Sequence, residues 1–379
     1  MPINQRHILI VAGETSGDIH AAHLVTELKK INPTFSFSGL GGPRLEAAGV
    51  EIYKDLTKLA VVGFTEVIKH YHEFKQAFDL ILNKITETQA EAIILVDYPG
   101  FNLRLAKAIN KKIKVIYYIS PQVWAWKKNR VFLIKKYIDK MMVIFPFEKD
   151  FYARYGIYAR FVGHPLTESI RISRHRDHIL QQHNLNPDQT TIGLLPGSRH
   201  KEIDRHLPIM LKTAEILQKK FPMLQFLLIK APNMTEDILS RYLLGTILNI
   251  HSFQDDSYEL RSTCHLCLVA SGTATLETAL LNVPMVVIYK TSFLTWLLAK
   301  LFIKIPYIAL VNVVAKKKIV PEFVQYQAKP RIIAKQCEQI FSDDEATETM
   351  KKSLDWICSL LGKKEASQQA AQEVVNTIG

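Results

Sequence analysis

Cysteine is scarce in this chain, with four residues in 379. That excludes a secreted disulfide framework, which needs several paired cysteines in a short span. Two nucleotide signatures are also missing. No GxxxxGK[ST] loop and no GxGxxG turn occurs, so ATP hydrolysis and hydride transfer have no sequence support. No apolar run reads as a clean membrane span. The nearest is "FLTWLLAKLFIKIPYIALVNVVA", Phe293 to Ala315, and Lys300, Lys304 and Pro306 interrupt it. Within it, residues 292–303 set Trp296 and Phe302 beside Lys300 and Lys304. That pattern suits a helix lying on a bilayer surface, and equally a core helix. "AVVGFTEVIKHYHEF", Ala60 to Phe74, is a second amphipathic candidate, opening with Val61, Val62 and Phe64.

Acid is missing locally. Between Tyr98 and Phe147 there are eleven Lys or Arg and one acid, Asp139. From Thr278 to Pro321 there are six Lys and no acid. Over the whole chain 48 Lys and Arg face 36 Asp and Glu, a formal net charge of +12. Such a balance points to an anionic partner: nucleic acid, acidic lipid or a phosphorylated substrate. Solvated helix faces are the plain alternative. The length allows two domains of ordinary size. The N-terminal "MPINQRHILIVAGE" enters a strand pattern at once, without a leader pattern, so a cytoplasmic, reducing location is expected.

Apolar β-type runs alternate with helix-period segments along most of the chain. The first half has strand candidates at 7–12, 34–40, 92–97, 114–119 and 141–144. The second has them at 191–195, 225–230, 247–251, 266–270 and 285–289. Several lack alternation, as strands buried on both faces do. This predicts an α/β fold of two Rossmann-like parallel-sheet domains facing a cleft, with a helical C-terminal tail. The expected boundaries are 1–168 for the acceptor-side domain, 169–328 for the donor domain, and 329–379 for tail helices returning to the first domain.

Each half opens with strand, glycine turn and helix: "HILIVAGETSGD" and "TIGLLPGSRHKE". The first turn carries Glu14, Ser16 and Asp18 but no cation, which is odd for a phosphate cradle. The second has Gly197, Ser198 and Arg199, suited to an anion held by turn amides and gripped by Arg. "VASGTATLETAL" adds Ser271, Gly272 and Thr273 for a diphosphate. Glu277 follows one helical turn later, placed to accept the hydroxyls of a ribose. A helix cap explains each turn alone. Both together favour a nucleoside diphosphate. In "AIILVDYPGFNLRLAK", Asp97 ends a buried strand, where it serves as a general base or bonds loop amides. The loop "YYISPQVWAWKKNRV" gathers Ser120, Gln122, Trp124, Trp126, Lys127, Lys128 and Arg130. It suits sugar stacking and phosphate gripping, or a packed loop with a basic rim. The CxxC pair Cys264 and Cys267 opens a buried strand without a second pair, and His20 and His164 stand alone. No metal and no cofactor are expected.

Taken in order, "VAGETSGDIHAAHL", "GGPRLEAAGVE", "SPQVWAW", "FPFEKDFY", "FVGHPL", "LLPGSRHKEI" and "ASGTATLE" resemble lipid-A-disaccharide synthases, inverting glycosyltransferases of GT-B type. The resemblance covers nearly the whole chain. It implies UDP-2,3-diacylglucosamine as donor, 2,3-diacylglucosamine 1-phosphate as acceptor, and a lipid A disaccharide 1-phosphate plus UDP as products. It also implies peripheral association with the inner membrane, no nucleic acid partner, and a homodimer as a candidate assembly. Asp97 matches the family's essential acid and Arg199 its essential arginine. Ser271, Gly272, Thr273 and Glu277 match the nucleotide site, and Asn312 borders it. The turn at Glu14 and Asp18 then faces a sugar or orders itself. Two rival readings remain: another GT-B transferase or epimerase acting on unacylated UDP-N-acetylglucosamine, and a non-catalytic basic lipid-binding protein.

Overall fold

A computed structural model describes residues 6–60, 71–231, 234–254, 258–293, 295–297 and 305–379. Residues 61–70 and most of 294–304 lie outside these, and with them most of the two amphipathic segments expected from the sequence. The chain divides into two units. One comprises Met1–Glu168 with Leu361–Gly379, the other Ser169–Leu360.

The first unit holds a seven-stranded sheet built from β1 (His7–Ala12), β2 (Ser36–Gly41), β3 (Glu51–Asp55), β4 (Ala92–Val96), β5 (Lys114–Tyr118), β6 (Lys140–Val143) and β7 (Ala159–Phe161). Its order is β3-β2-β1-β4-β5-β6-β7, and the strand pairs are parallel. The second unit holds β8 (Thr190–Leu195), β9 (Leu224–Lys230), β10 (Ile250–Gln254), β11 (Leu266–Ala270), β12 (Met285–Tyr289) and β13 (Glu322–Val324). Its order is β10-β9-β8-β11-β12-β13, again with parallel pairs. The two sheets therefore repeat one winding. Each starts at a central strand, runs outward to one edge, returns and runs to the other.

The central strands are apolar throughout because helices cover both of their faces. Ile8 to Ala12, Ala92 to Val96 and Leu266 to Val269 are fully buried. The edge strands β3, β10 and β13 are only partly buried. Three strands escape the sequence pattern, namely β3, β7 and β13. All are edge strands of three to five residues without an apolar run. The strand expected at 247–251 forms three residues later, at Ile250–Gln254. The tail divides as well. Helices Pro330–Ser342 and Asp344–Leu360 belong to the second unit, and only helix Ala366–Ile378 joins the first. Among the described residues no helix is long and apolar enough to cross a membrane.

Candidate active site

In doubly wound sheets ligands sit beyond the carboxyl ends of the strands, where the strand order reverses. In the first unit that point lies between β1 and β4, paired with Ala12 opposite Val96. Glu14 and Asp97 therefore emerge side by side. Asp97 and Tyr98 both have left-handed backbones, with φ of 45° and 46°. Each costs about 1–2 kcal/mol for a residue with a side chain. The surroundings hold them there. The Asp97 amide donates to the Tyr118 carbonyl at 3.0 Å. The Asp97 carbonyl accepts from the Tyr117 hydroxyl at 2.5 Å and from Asn102 Nδ2 at 2.7 Å. Asn102 Nδ2 also donates to Val96. The Tyr98 ring lies over Gly13, where a Cβ would come within 2.2 Å of Cδ1, so only glycine fits this close approach. Burial pushes the Asp97 carboxyl up to about 7, the negative charge of Glu14 adds to the rise, and the Tyr98 amide opposes it. A carboxyl near neutrality at the end of a central strand is poised for general base work.

The two acids of the opening turn part company. Asp18 is buried and accepts from the Gly42 amide at 2.7 Å, the Arg44 amide at 2.9 Å and the Leu45 amide at 3.3 Å. It orders the entry to helix Pro43–Ala47. Glu14 and Ser16 are exposed. In the loop after β5, Ser120 and Trp124 turn inward. Ser120 Oγ donates to Glu148 at 2.6 Å and Trp124 Nε1 at 3.0 Å, while Gln122 is exposed. Glu148 also accepts from the Phe145 amide at 3.0 Å. Burial raises its carboxyl to about 7 against the pull of these donors. Glu148 sits within "FPFEKDFY", yet its reach to Ser120 and Trp124 has no local signal in the sequence. His164 is buried too, its Nδ1 accepting from the Leu166 amide.

In the second unit the reversal lies between β8 and β11, with Leu195 opposite Val269. The turns at Gly197 to Arg199 and Ser271 to Thr273 are thus neighbours. Gly197 has φ of 110°, and a Cβ there would meet Glu202 Oε2 at 2.6 Å. Glu202 accepts from the Ser198 and Arg199 amides at 3.2 and 3.4 Å. A carboxylate of the chain itself thus takes up these two turn amides. The Arg199 side chain is 83% exposed and touches Glu202 at 3.4 Å. Ser271 Oγ donates to the Ile308 carbonyl, and Thr273 is exposed. Glu277 Oε2 is held at 2.5 Å by Arg261, whose side chain is buried. Asn312 is fully buried. Its Nδ2 donates to Val320 and Glu322, and its Oδ1 accepts from the Ile319 and Val320 amides. All its hydrogen-bonding positions are committed within the chain. Its effect runs through Glu322, which accepts from the Ile308 and Ala309 amides and so fixes the segment that Ser271 touches. Among the described residues no group of three or more His, Cys, Asp or Glu side chains is placed to hold a metal ion.

Two Rossmann-like sheets, each with paired polar turns at its reversal point, define a GT-B type protein. The calicheamicin glycosyltransferase shares the fold at TM-score 0.60 and 16% identity, over 100% of this chain and 99% of that one. A UDP-GlcNAc 2-epimerase from Neisseria meningitidis, solved bound to UDP-GlcNAc, shares it at TM-score 0.63 and 14% identity, over 98% and 99%. The sequence is more specific. Residues 8–376 match the family model described as lipid-A-disaccharide synthetase, and the chain belongs to that family. The lipid-A-disaccharide synthase of Nitrosococcus oceani is 44% identical over 356 residues, 94% of this chain and 92% of the relative. That of Geobacter sulfurreducens is 40% identical over 381 residues, covering 100% and 99%.

Proposed function

We propose that Asp97 is the general base and Arg199 the leaving-group partner of the lipid-A-disaccharide synthase reaction in this chain. The donor is UDP-2,3-diacylglucosamine and the acceptor 2,3-diacylglucosamine 1-phosphate. The Asp97 carboxylate takes the proton of the acceptor 6-hydroxyl. The freed oxygen bonds to the donor anomeric carbon, the bond from that carbon to the β-phosphate oxygen breaks, and its electron pair leaves with UDP. A single displacement inverts the centre. Arg199 balances the charge that grows on the diphosphate.

Ser198, Ser271, Gly272 and Thr273 line the diphosphate, and Glu277 meets the ribose with the oxygen not held by Arg261. Glu14, Ser16 and Gln122 face the sugar, while Asp18, Ser120 and Trp124 hold the loops that carry them. Residues 1–168 serve the acceptor and 169–328 the donor. Both substrates are acylated and anionic, so the protein works peripherally at the inner face of the membrane, drawn by its positive charge. A homodimer is compatible with this reading.

The observation that carries the reading is the Asp97 carboxyl, locked in a left-handed backbone with its proton affinity raised toward neutrality. The test mixes both acylated substrates with the protein in the presence of chelator and follows UDP and disaccharide phosphate. Turnover is expected, and a folded Asp97→Ala variant should lose about 10²–10⁴-fold. Equal rates in both proteins would remove Asp97 from the base role.

A further inference from the structure

We infer that Lys127, Lys128 and Arg130 form the seat for the anomeric phosphate of the acceptor sugar. This rests on the role proposed for Asp97 and adds the group that recognises the other end of the same molecule.

The first ground is position. β5 pairs with β4, with Val96 opposite Tyr118, and the Asp97 amide donates to the Tyr118 carbonyl. The segment that leaves β5 therefore starts beside the base. Arg130, at its far end, lies close enough to act on the same site. The Tyr117 hydroxyl, which donates to the Asp97 carbonyl, feels the positive charge of Arg130 as well as the negative charge of Asp97. In a glucosamine the anomeric carbon and the carbon that bears the 6-hydroxymethyl group flank the ring oxygen, so the phosphate and the 6-hydroxyl lie along one edge of the pyranose. Cations near the base therefore lie on the side where the phosphate of a correctly placed acceptor falls.

The second ground is order. Ser120 and Trp124 are tied to Glu148. The Ala125 amide donates to the Gln122 carbonyl, the Arg130 amide to Lys127 and the Val131 amide to Lys128. Lys127 takes a left-handed backbone, φ 53°, as the chain turns into helix Arg130–Tyr137. The cations are presented on a built turn.

The third ground is charge. None of the three has a carboxylate within ion-pair distance among the described residues, whereas Arg6, Lys84 and Lys140 of the same unit pair with Glu91, Glu87 and Glu373. The first turn of helix Arg130–Tyr137 holds no acid. The Lys127 ammonium lies 4.4 Å and the Arg130 guanidinium 5.8 Å from the centre of the half-exposed Trp126 ring. Like charges gathered on one ring repel, and a phosphate monoester dianion relieves that repulsion. Arg supplies the bidentate fork and Lys the point charges.

The experiment compares two acceptors, diacylglucosamine 1-phosphate and the same sugar as its 1-O-methyl glycoside, each with the acylated UDP donor. The wild-type protein should prefer the phosphate. Arg130→Ala should raise its KM at least tenfold and bring the ratio of kcat/KM between the two acceptors toward one. Arg130→Lys should restore part of that ratio. The Lys127→Ala/Lys128→Ala pair, at exposed positions, should lower the ratio too, and keeps the test valid should Arg130→Ala unfold. Circular dichroism and the melting midpoint of each variant report an intact fold. An unchanged ratio in both sets of variants overturns the inference and leaves the reaction standing, as does a wild-type protein indifferent to the phosphate. Turnover of neither acceptor sinks the reaction assignment itself, and this inference with it.

Discussion

Asp97 carries opposing demands. Its folded-state carboxyl sits at about 7 against an ordinary 3.8, so folding favours the protonated form. The stabilising contribution of this group is therefore present at low pH and lost as pH rises from about 4 through about 7. The base role proposed for it needs the opposite form, so turnover should rise with pH across the same window. Asparagine mimics the neutral carboxyl and tolerates a left-handed backbone. Asp97→Asn should accordingly raise the thermal midpoint most at pH 8 and less at pH 5, and abolish most turnover at both. Melting curves at the two pH values check this. Glu14 contributes to the upward shift of Asp97, so Glu14→Gln should move the acid limb of the pH–rate profile to lower pH. A limb that stays in place or moves up would separate the two carboxyls.

The proposed site lies on strand-end loops, and two of these are braced by a buried side chain. Asn102 braces the loop after β4, and Asn102→Ala should cost about 1–3 kcal/mol of stability, read from urea midpoints, together with a drop in kcat. Glu148 braces the loop after β5. Glu148→Ala leaves three donors without their acceptor and should raise the KM for the acceptor while UDP affinity holds. These braces mark the limit of what the sequence discloses. Central strands such as Ala92–Val96 read plainly as apolar runs, and the turns at Asp97, Gly197 and Ser271 read plainly from their residue types. Whether a polar residue faces a ligand or a neighbouring loop depends on contacts between distant segments. Asp18 reaches the turn 24 residues on, and Ser120 reaches Glu148 28 residues on. Asn312 matches a position bordering the nucleotide site by resemblance, yet its amide is committed to residues 319–322. Short edge strands such as Glu322–Val324 lack a pattern because one side of each meets solvent.

The whole molecule has two units with separate cores, and the proposed roles divide between them. One centres on residues such as Leu9, Leu95 and Tyr117, the other on Leu194, Phe226 and Leu268. Nucleotide binding should then be a property of the second unit alone. Glu277→Ala is expected to weaken UDP binding about tenfold, near 1.4 kcal/mol, whereas Asp97→Asn leaves it unchanged. Calorimetric titration of UDP into both variants distinguishes this from a site that draws equally on both units.

Helix Ala366–Ile378 has a consequence for the order in which the molecule can form. It buries Ala366, Ala370, Ala371 and Val374 in the first unit, and Glu373 pairs there with Lys140 and Arg160. The carbonyls of Ile378 and Gly379 accept from Arg6, near the other end of the sequence. On the ribosome, which releases a chain from its N-terminus, the first unit to be started is thus the last to be finished. Its sheet waits, short of one covering helix, while the entire second unit is synthesised and free to fold. Helix Ala366–Ile378 packs on helix Thr15–Ile31, so the flank of that earlier helix left bare during the interval is the surface most open to chaperones, to aggregation, and to the same helix arriving from another copy of the chain.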